Sequence, residues 1–339
     1  RRVAIRVAAA GAKTGTRVAA QSGPPQPAPA AQKLSVAVAG LGVVGGGAAA
    51  LLAADERSYR LAGALVRDPS KQRDIAGDVL LTDDIGALLD AGPKAVIDAL
   101  PAPDAGRELI ERALGRGISV VSANKQALVG SLNHFHQLAS DHKALLHYSA
   151  AVGGGAPMIE TVRRAREAGT PVRIAAIVNG TVNFVLSLLS QGVAFDEAVK
   201  RAQGAGYAEP DPTADLSGDD ARAKLSILSY EAFGEEIDPA AVDCDALTPE
   251  KASTISKLGG RWKQLASLEK QEDGRISASV YFAQSDDHAF FRSVDGVENA
   301  LQVVNADGRN FHCKGKGAGR IPTAVSLIAD LGDINRSLE

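Results

Sequence analysis

The chain has 339 residues, enough for two domains with sizeable cores, and its 45% hydrophobic and 23% charged content is that of ordinary globular proteins. A formal net charge of −3 gives no reason to expect nucleic acid or an acidic membrane surface as a partner. No apolar run approaches the about 18 residues of a membrane span, and Cys244 and Cys313 stand too far apart for a C-x-x-C or zinc spacing, so they read as reduced thiols in a soluble protein.

Residues 1–33 differ from the rest. Arg1, Arg2, Arg6, Lys13 and Arg17 occur without any acid, and "SGPPQPAPAAQ" follows as a Pro/Ala linker. That composition fits an organellar transit peptide, with the plastid stroma as destination, although serine is scarce for one. The alternative is a disordered tail on a cytoplasmic protein.

Order is expected from Leu34. "LSVAVAG" reads as a buried strand and breaks into "GLGVVGGGAAALLAAD". Gly40, Gly42 and Gly45 fit G-x-G-x-x-G between a strand and an Ala/Leu-rich helix: one glycine for the tight turn, one for close approach to a pyrophosphate, one for helix–strand packing. The helix start would offer free N–H groups to the phosphates. Next come a strand at Arg60–Val66, a short helix ending at Gly92, a third strand "KAVIDAL", a helix capped by Asp104 and ended by Gly115, a fourth strand "ISVVSA" and another in "ALLHYSA". This alternation implies a doubly wound parallel sheet of Rossmann type over residues 34–152. After the second strand, Arg67 precedes Asp68, with Lys71 and Arg73 nearby. A guanidinium there suits the 2′-phosphate of NADP, and Asp68 keeps NAD open. His134, His136, His142 and His147 match no metal-binding spacing and read as surface or core histidines.

From Gly153 the pattern changes. "VGGGAPMIETVRRAREAG" is a Gly-rich turn with Pro157 at a helix start. "VRIAAIVNG" is a strand running into a helix that Asn179 or Thr181 caps, and "FDEAVKRAQGAG" is another helix. Then "GYAEPDPTADLSGDDARAK" crowds Glu209, Asp211, Asp215, Asp219 and Asp220 before Lys224. Asp220 and Lys224 are one turn apart and share a helix face, while Leu225 and Leu228 face the core. One or two acids would serve the helix dipole. Five suggest an external cation, such as the ammonium of an amino acid. "ISASVYFA" and "ALQVV" read as strands of a second, mixed sheet.

That acidic stretch resembles the signature of the homoserine dehydrogenase family, G-Y-x-E-x-D-P-x-x-D-(L/V)-x-G-x-D-x-x-x-K, at Gly206, Tyr207, Glu209, Asp211, Pro212, Asp215, Gly218, Asp220 and Lys224. "SANKQAL", "AAVGGGAPMI", "VNGTVNFVLS", "GVENALQV" and "GKGAGRIPTAVSLIADL" resemble other family segments, so the likeness spans roughly residues 35–332. It implies a second α+β domain for catalysis and dimerisation over 153–314 and a C-terminal helix, 315–339, returning to the nucleotide domain. It implies reversible NAD(P)H-dependent reduction of L-aspartate 4-semialdehyde to L-homoserine, in threonine, methionine and isoleucine biosynthesis. Glu209 and Asp220 would bind the substrate ammonium, with Gly206, Tyr207, Asp215 and Thr181 around the substrate. Lys224, protonated at neutral pH, would stabilise and protonate the developing alkoxide, oriented by Asp220. Lys125, at the carboxyl end of a sheet strand, would touch cofactor and substrate. Val44 and Gly319 would join Gly40, Gly42, Gly45 and Arg67 around the cofactor. A sodium or potassium ion is implied on the backbone carbonyls of Val152, Gly154 and Ala156, but Ser149 stands where the family has a glutamate ligand. A homodimer is implied, and a monofunctional enzyme without built-in threonine feedback. Another two-domain Rossmann oxidoreductase accounts for the first half but not for the acidic stretch, and a non-catalytic dinucleotide sensor predicts binding without turnover.

Overall fold

The computed structural model describes residues 33–73 and 79–338; the Arg-rich tail, apart from Lys33, lies outside the described residues. Twelve strands form two sheets. The first holds β1 (Leu34–Ala39), β2 (Tyr59–Leu65), β3 (Leu80–Thr82), β4 (Ala95–Asp98), β5 (Ser119–Ser122) and β6 (Leu146–His147), in the order β3-β2-β1-β4-β5-β6 and parallel throughout. Strand order reverses between β1 and β4, which opens a crevice beyond their carboxyl ends. β1 and β4 are buried along their whole length, and both are apolar except for Ser35 in β1 and Asp98 at the end of β4.

The glycine loop after β1 behaves as its spacing predicts. Gly40 has φ +89°, and a Cβ there would sit 2.6 Å from Ala99 O. A Cβ on Gly45 would fall 1.8 Å from Gly40 O, so the helix Val43–Ala54 packs on the turn only without a side chain. Gly42 faces open space instead. That helix has no acid in its first turn and no side-chain cap, which leaves its first N–H groups turned toward the crevice.

The second sheet holds β7 (Pro171–Ile177), β8 (Asp243–Cys244), β9 (Trp262–Lys270), β10 (Ile276–Gln284), β11 (Glu298–Asn305) and β12 (Asn310–Lys316), in the order β12-β11-β7-β9-β10-β8. All its pairs are antiparallel except β10 with β8, so it is mixed. The helices Met158–Ala168 and Asp219–Phe233 pack against it and share one apolar core with the first sheet. A second cluster joins the helix Gly180–Leu189 to the helices Phe195–Gly204 and Pro249–Leu258. The C-terminal helix Arg320–Leu338 lies against the helix Val43–Ala54, where Ala324 Cβ meets Gly47. Among the described residues no helix is long and apolar enough to cross a membrane.

Several local expectations need correction. The short edge strand β3 makes "KAVIDAL" the fourth strand. Asp104 does not cap its helix: the helix runs Pro103–Leu114 with Ala102 at the N-cap, and Asp104 pairs with Arg107 inside the first turn. "GKGAG" does not open a helix. Gly315 lies inside β12, and the helix begins at Arg320. Asn179, not Thr181, caps the helix Gly180–Leu189.

Candidate active site

Two adjoining cavities occupy the crevice. The larger, ≈ 1110 Å³, is walled by Gly40, Gly42 and Val44, by the Ala99–Ala102 loop after β4, and at its far end by Arg67, Asp68, Lys71 and Arg73. The smaller, ≈ 490 Å³, is walled by Val44, Lys125, Val152, Gly154, Asp220, Lys224 and Gly317. Glu209 and the Ala99–Ala102 loop border both, so the acidic stretch of the second half closes over the glycine loop of the first.

Asp220 is the hub of the smaller cavity. It lies in the first turn of the helix Asp219–Phe233, with its side chain 15% exposed. Lys224 Nζ donates to Asp220 Oδ2 at 2.8 Å and to Val178 O at 2.7 Å. Lys125 Nζ lies 3.2 Å from the other oxygen, Oδ1. Burial alone would raise the Asp220 carboxyl, but Lys224 and Lys125 pull it down to about 2. The lysines reach it from different halves of the molecule. Lys125 opens a short helix after β5, capped by Asn124, whose Oδ1 accepts from Ala127 N.

Asn179 completes the hub. Its Oδ1 accepts from Val182 N, while its Nδ2 donates to Asp215 Oδ1 at 2.7 Å and to Asp220 Oδ2 at 2.9 Å. One side chain therefore caps a helix and spaces two carboxylates. Burial leads the causes that raise the Asp215 carboxyl, and neighbouring Asp220 adds to it. Sequence patterning marked Asn179 only as a cap, because the pairing of a β7 turn with a distant helix exists only in the folded chain.

The five crowded carboxylates divide. Asp211 turns onto Thr213 N and Oγ1, and Asp219 onto Ser217 and Arg222; both are ordinary turn and helix-start bonds at the surface. Of the five, only Glu209 and Asp220 border the smaller cavity; Asp215 borders neither cavity and joins the hub through Asn179, and Asp220 already has two protein cations. The excess charge that suggested an external cation is thus smaller than five. Thr181, Gly206 and Tyr207 are not among the residues bordering either cavity. Thr181 Oγ1 donates to Tyr207 O at 2.6 Å, and the Tyr207 ring meets Phe184 edge-on, so these residues brace the loop that presents Glu209. Gly45 and Gly319 do not border the cavities either, whereas Gly40, Gly42, Val44 and Arg67 border the larger.

Ser149 donates its N–H and its hydroxyl to Asp330, at 2.9 and 2.7 Å. Asp330 is fully buried on the C-terminal helix, so a carboxylate from outside the Gly-rich turn meets Ser149. Val152 and Gly154 border the smaller cavity, while Ala156 is buried beneath it. Of the four sequence-adjacent histidines, His147 alone meets two carboxylates, Asp330 and Asp333.

Known proteins resemble this chain in sequence and fold. The family model for the homoserine dehydrogenase NAD-binding domain matches residues 40–149, and that for homoserine dehydrogenase matches residues 157–331. A homoserine dehydrogenase of Neisseria gonorrhoeae is 35% identical over 322 residues, covering 90% of this chain and 73% of that protein. An NAD(+)-dependent homoserine dehydrogenase of Pseudomonas canavaninivorans is 32% identical, covering 81% of this chain and 78% of its own length. The crystal structure of a homoserine dehydrogenase from Thiobacillus denitrificans superposes with a TM-score of 0.81 at 33% identity, over 90% of this chain and 74% of that one. A hyperthermophilic archaeal homoserine dehydrogenase in complex with NADPH superposes with a TM-score of 0.75 at 25% identity, over 90% and 98%. A glycine-loop crevice continuous with a lysine–aspartate–lysine cavity, and matched in both halves, shows that the chain belongs to the homoserine dehydrogenase family, NAD(P)-dependent oxidoreductases acting on a CH–OH group.

Proposed function

We infer that the smaller cavity is where L-aspartate 4-semialdehyde is reduced to L-homoserine, and that Lys224 is the proton donor. The observation that carries this reading is Asp220 held between Lys125 and Lys224 on the wall that adjoins the glycine-loop crevice. The crevice fits a dinucleotide: Gly42 leaves room for a pyrophosphate and the helix start offers free N–H groups to it. When bound there, the nicotinamide supplies the hydride. Charge then develops on the aldehyde oxygen, and a fixed ammonium beside it lowers the barrier and delivers the proton. Lys224 spends two of its three donors on Asp220 and Val178 O, which leaves one for that oxygen. Lys125 supplies a second positive charge. Glu209, exposed at the border of both cavities, is the acid placed to receive the substrate ammonium, while Asp215 is tied to Asp220 through the Asn179 amide.

NADP is favoured over NAD because Arg67, Lys71 and Arg73 gather at the far end of the crevice. Asp68, the ribose-binding alternative, instead turns one carboxylate oxygen onto Ser70 N and Oγ. A sodium or potassium ion would rest on the carbonyls of Val152, Gly154 and Ala156, as the family resemblance implies. Subunit pairing is assigned to the second sheet, where Ala175, Tyr281 and Ala283 remain only partly buried, with Phe290 of the following turn beside them. A single-chain mass by light scattering would exclude it.

The deciding experiment follows the absorbance of the reduced nicotinamide with homoserine and each cofactor in turn. Lys224→Ala should lower kcat by about 100-fold or more while nucleotide binding by fluorescence is retained. Undiminished turnover in that variant would remove Lys224 from the chemistry.

A further inference from the structure

Asn299 takes no part in the chemistry described so far, yet it reaches the group that holds Lys224. It lies near the start of β11 and is fully buried, 0% exposed. Its Nδ2 donates to Val178 O at 3.2 Å, the same carbonyl that accepts from Lys224 Nζ at 2.7 Å. Turning the amide over would set two oxygens face to face, so chemistry fixes which atom faces Val178. Asn299 Oδ1, on the other side, is buried without a hydrogen-bond partner. It abuts Gly317, where a Cβ would fall 2.3 Å from it. Gly317 borders the smaller cavity. The amide is therefore wedged between the carbonyl that anchors Lys224 and the turn that walls the cavity.

A buried acceptor left unpaired costs free energy, and an apolar side chain of similar size would fill the same space without that cost. What the asparagine gives in return is the bond to Val178 O. Val178 follows β7 and precedes Asn179, the cap that spaces Asp215 and Asp220, so its peptide plane sits at the junction of the hub. With one lone pair of its oxygen engaged by Asn299, the other is aimed at Lys224. Lys224 bonds Val178 O and Asp220 Oδ2, and a tetrahedral ammonium with two donors committed has its third direction set. Rotation of the Val178 carbonyl would redirect that third proton.

We propose that Asn299 is a positioning residue for the reduction: by holding the Val178 carbonyl it aims the free N–H of Lys224 at the reacting oxygen. This rests on Lys224 being the proton donor, which Lys224→Ala tests separately.

Asn299→Asp keeps the shape, but when ionised it replaces the donor by an acceptor and adds a buried negative charge. The expected result is a fall in kcat of about 10-fold or more, on the scale of small misplacements at a reacting centre. KM for the nucleotide should stay close to the parent's, whereas the buried charge should lower the thermal midpoint, which should recover together with kcat as pH falls. As pH falls, the new carboxyl regains a proton and a donor, so the variant's kcat relative to the parent should recover. A residue that merely fills space would show no such recovery. Gly317→Ala presses on the same amide from the other side and should lower kcat in the same selective way. In an Asn299→Ala background, which leaves room for the methyl, it should cost much less. If Asn299→Asp does not fold, Gly317→Ala decides. Either variant folded with an unchanged kcat overturns the proposal, provided Lys224→Ala is impaired in parallel. Retained turnover in Lys224→Ala would instead fault the assignment of the proton donor.

Discussion

Two buried aspartates at the ends of their elements show how environment sets opposite behaviour for one side chain. Asp220 meets Lys224, Lys125 and the Asn179 amide, and its folded carboxyl drops to about 2. Asp98, at the end of β4, has no cation. It accepts from Leu100 N at 3.1 Å and Ser122 Oγ at 2.9 Å, and burial pushes it up to about 6. The pH consequences have opposite signs. A lowered folded value makes the Asp220 contribution present above the unfolded value near 3.8 and lost as pH falls toward 2. A raised folded value means native Asp98 binds its proton more tightly than the unfolded chain, so its contribution is present at low pH and is lost as pH rises from near 4 through about 6. The shift of about two units corresponds to roughly 3 kcal/mol. Asp98→Asn should therefore flatten the fall in unfolding free energy across that window, measured by denaturant titration at a series of pH values. A slope identical to the parent's would show that Asp98 does not titrate there. The glycine loop and the Gly206–Lys224 stretch were legible as sequence because their chemistry lies in contiguous residues. Asp98, Asn299 and Asp330 were not, and of Asn179 only the cap was, not the bonds to Asp215 and Asp220. Each sits in an apolar or strand-like run, and each acts on a group 24 or more residues away, or on helices far apart in the chain.

At the scale of elements, the helix Asp219–Phe233 does two tasks with one periodicity. Asp220 and Lys224 lie one turn apart toward the cavity, and Leu225 and Leu228 are fully buried on the core side. Its register depends on Gly218, the N-cap, which has φ +87° and would place a Cβ 2.3 Å from Cys244 Sγ. Gly218→Ala meets both left-handed strain and a clash, so it should destabilise by about 1–3 kcal/mol. Because the displaced turn carries Asp220, kcat should fall too. Calorimetry with steady-state kinetics would check both, and a variant as stable and active as the parent would show that the helix start tolerates repositioning. The elements that escaped sequence reading failed for related reasons. β9 buries Lys263 and Gln264 among apolar neighbours, which erases the polar–apolar alternation of a half-buried strand. Lys263 is satisfied there by Asn183 Oδ1, Val294 O and Asp295 Oδ1, partners from two other elements. β12 keeps strict alternation of burial, but Gly315 near its end, with Gly317 and Gly319 just beyond, reads locally as a turn. The helices with four apolar positions on one face needed no such context.

For the whole molecule, the two sheets divide the work. The parallel sheet supplies the crevice at its switch point, the mixed sheet with its helices supplies Asp220 and Lys224, and the C-terminal helix ties back to the helix that starts at the glycine loop. The proposed 2′-phosphate contacts, Arg67, Lys71 and Arg73, line the larger cavity, whereas Lys125 and Lys224 line the smaller one. A charge-assisted bond to a phosphate is worth roughly 1.5–3 kcal/mol, or about 10- to 100-fold in binding. Arg67→Ala should therefore raise KM for the 2′-phosphorylated cofactor by about that factor and leave KM for NAD nearly unchanged. kcat with saturating cofactor should hold, because the lysine hub lies in the other cavity. Arg73 donates to Asp68 O and Lys71 O, which fixes the loop backbone, so the loop should keep its shape without Arg67. Parallel kinetics with both cofactors separate the outcomes: an equal rise in both constants would mean the guanidinium serves the shared part of the dinucleotide, and no change in either would place the 2′-phosphate site elsewhere.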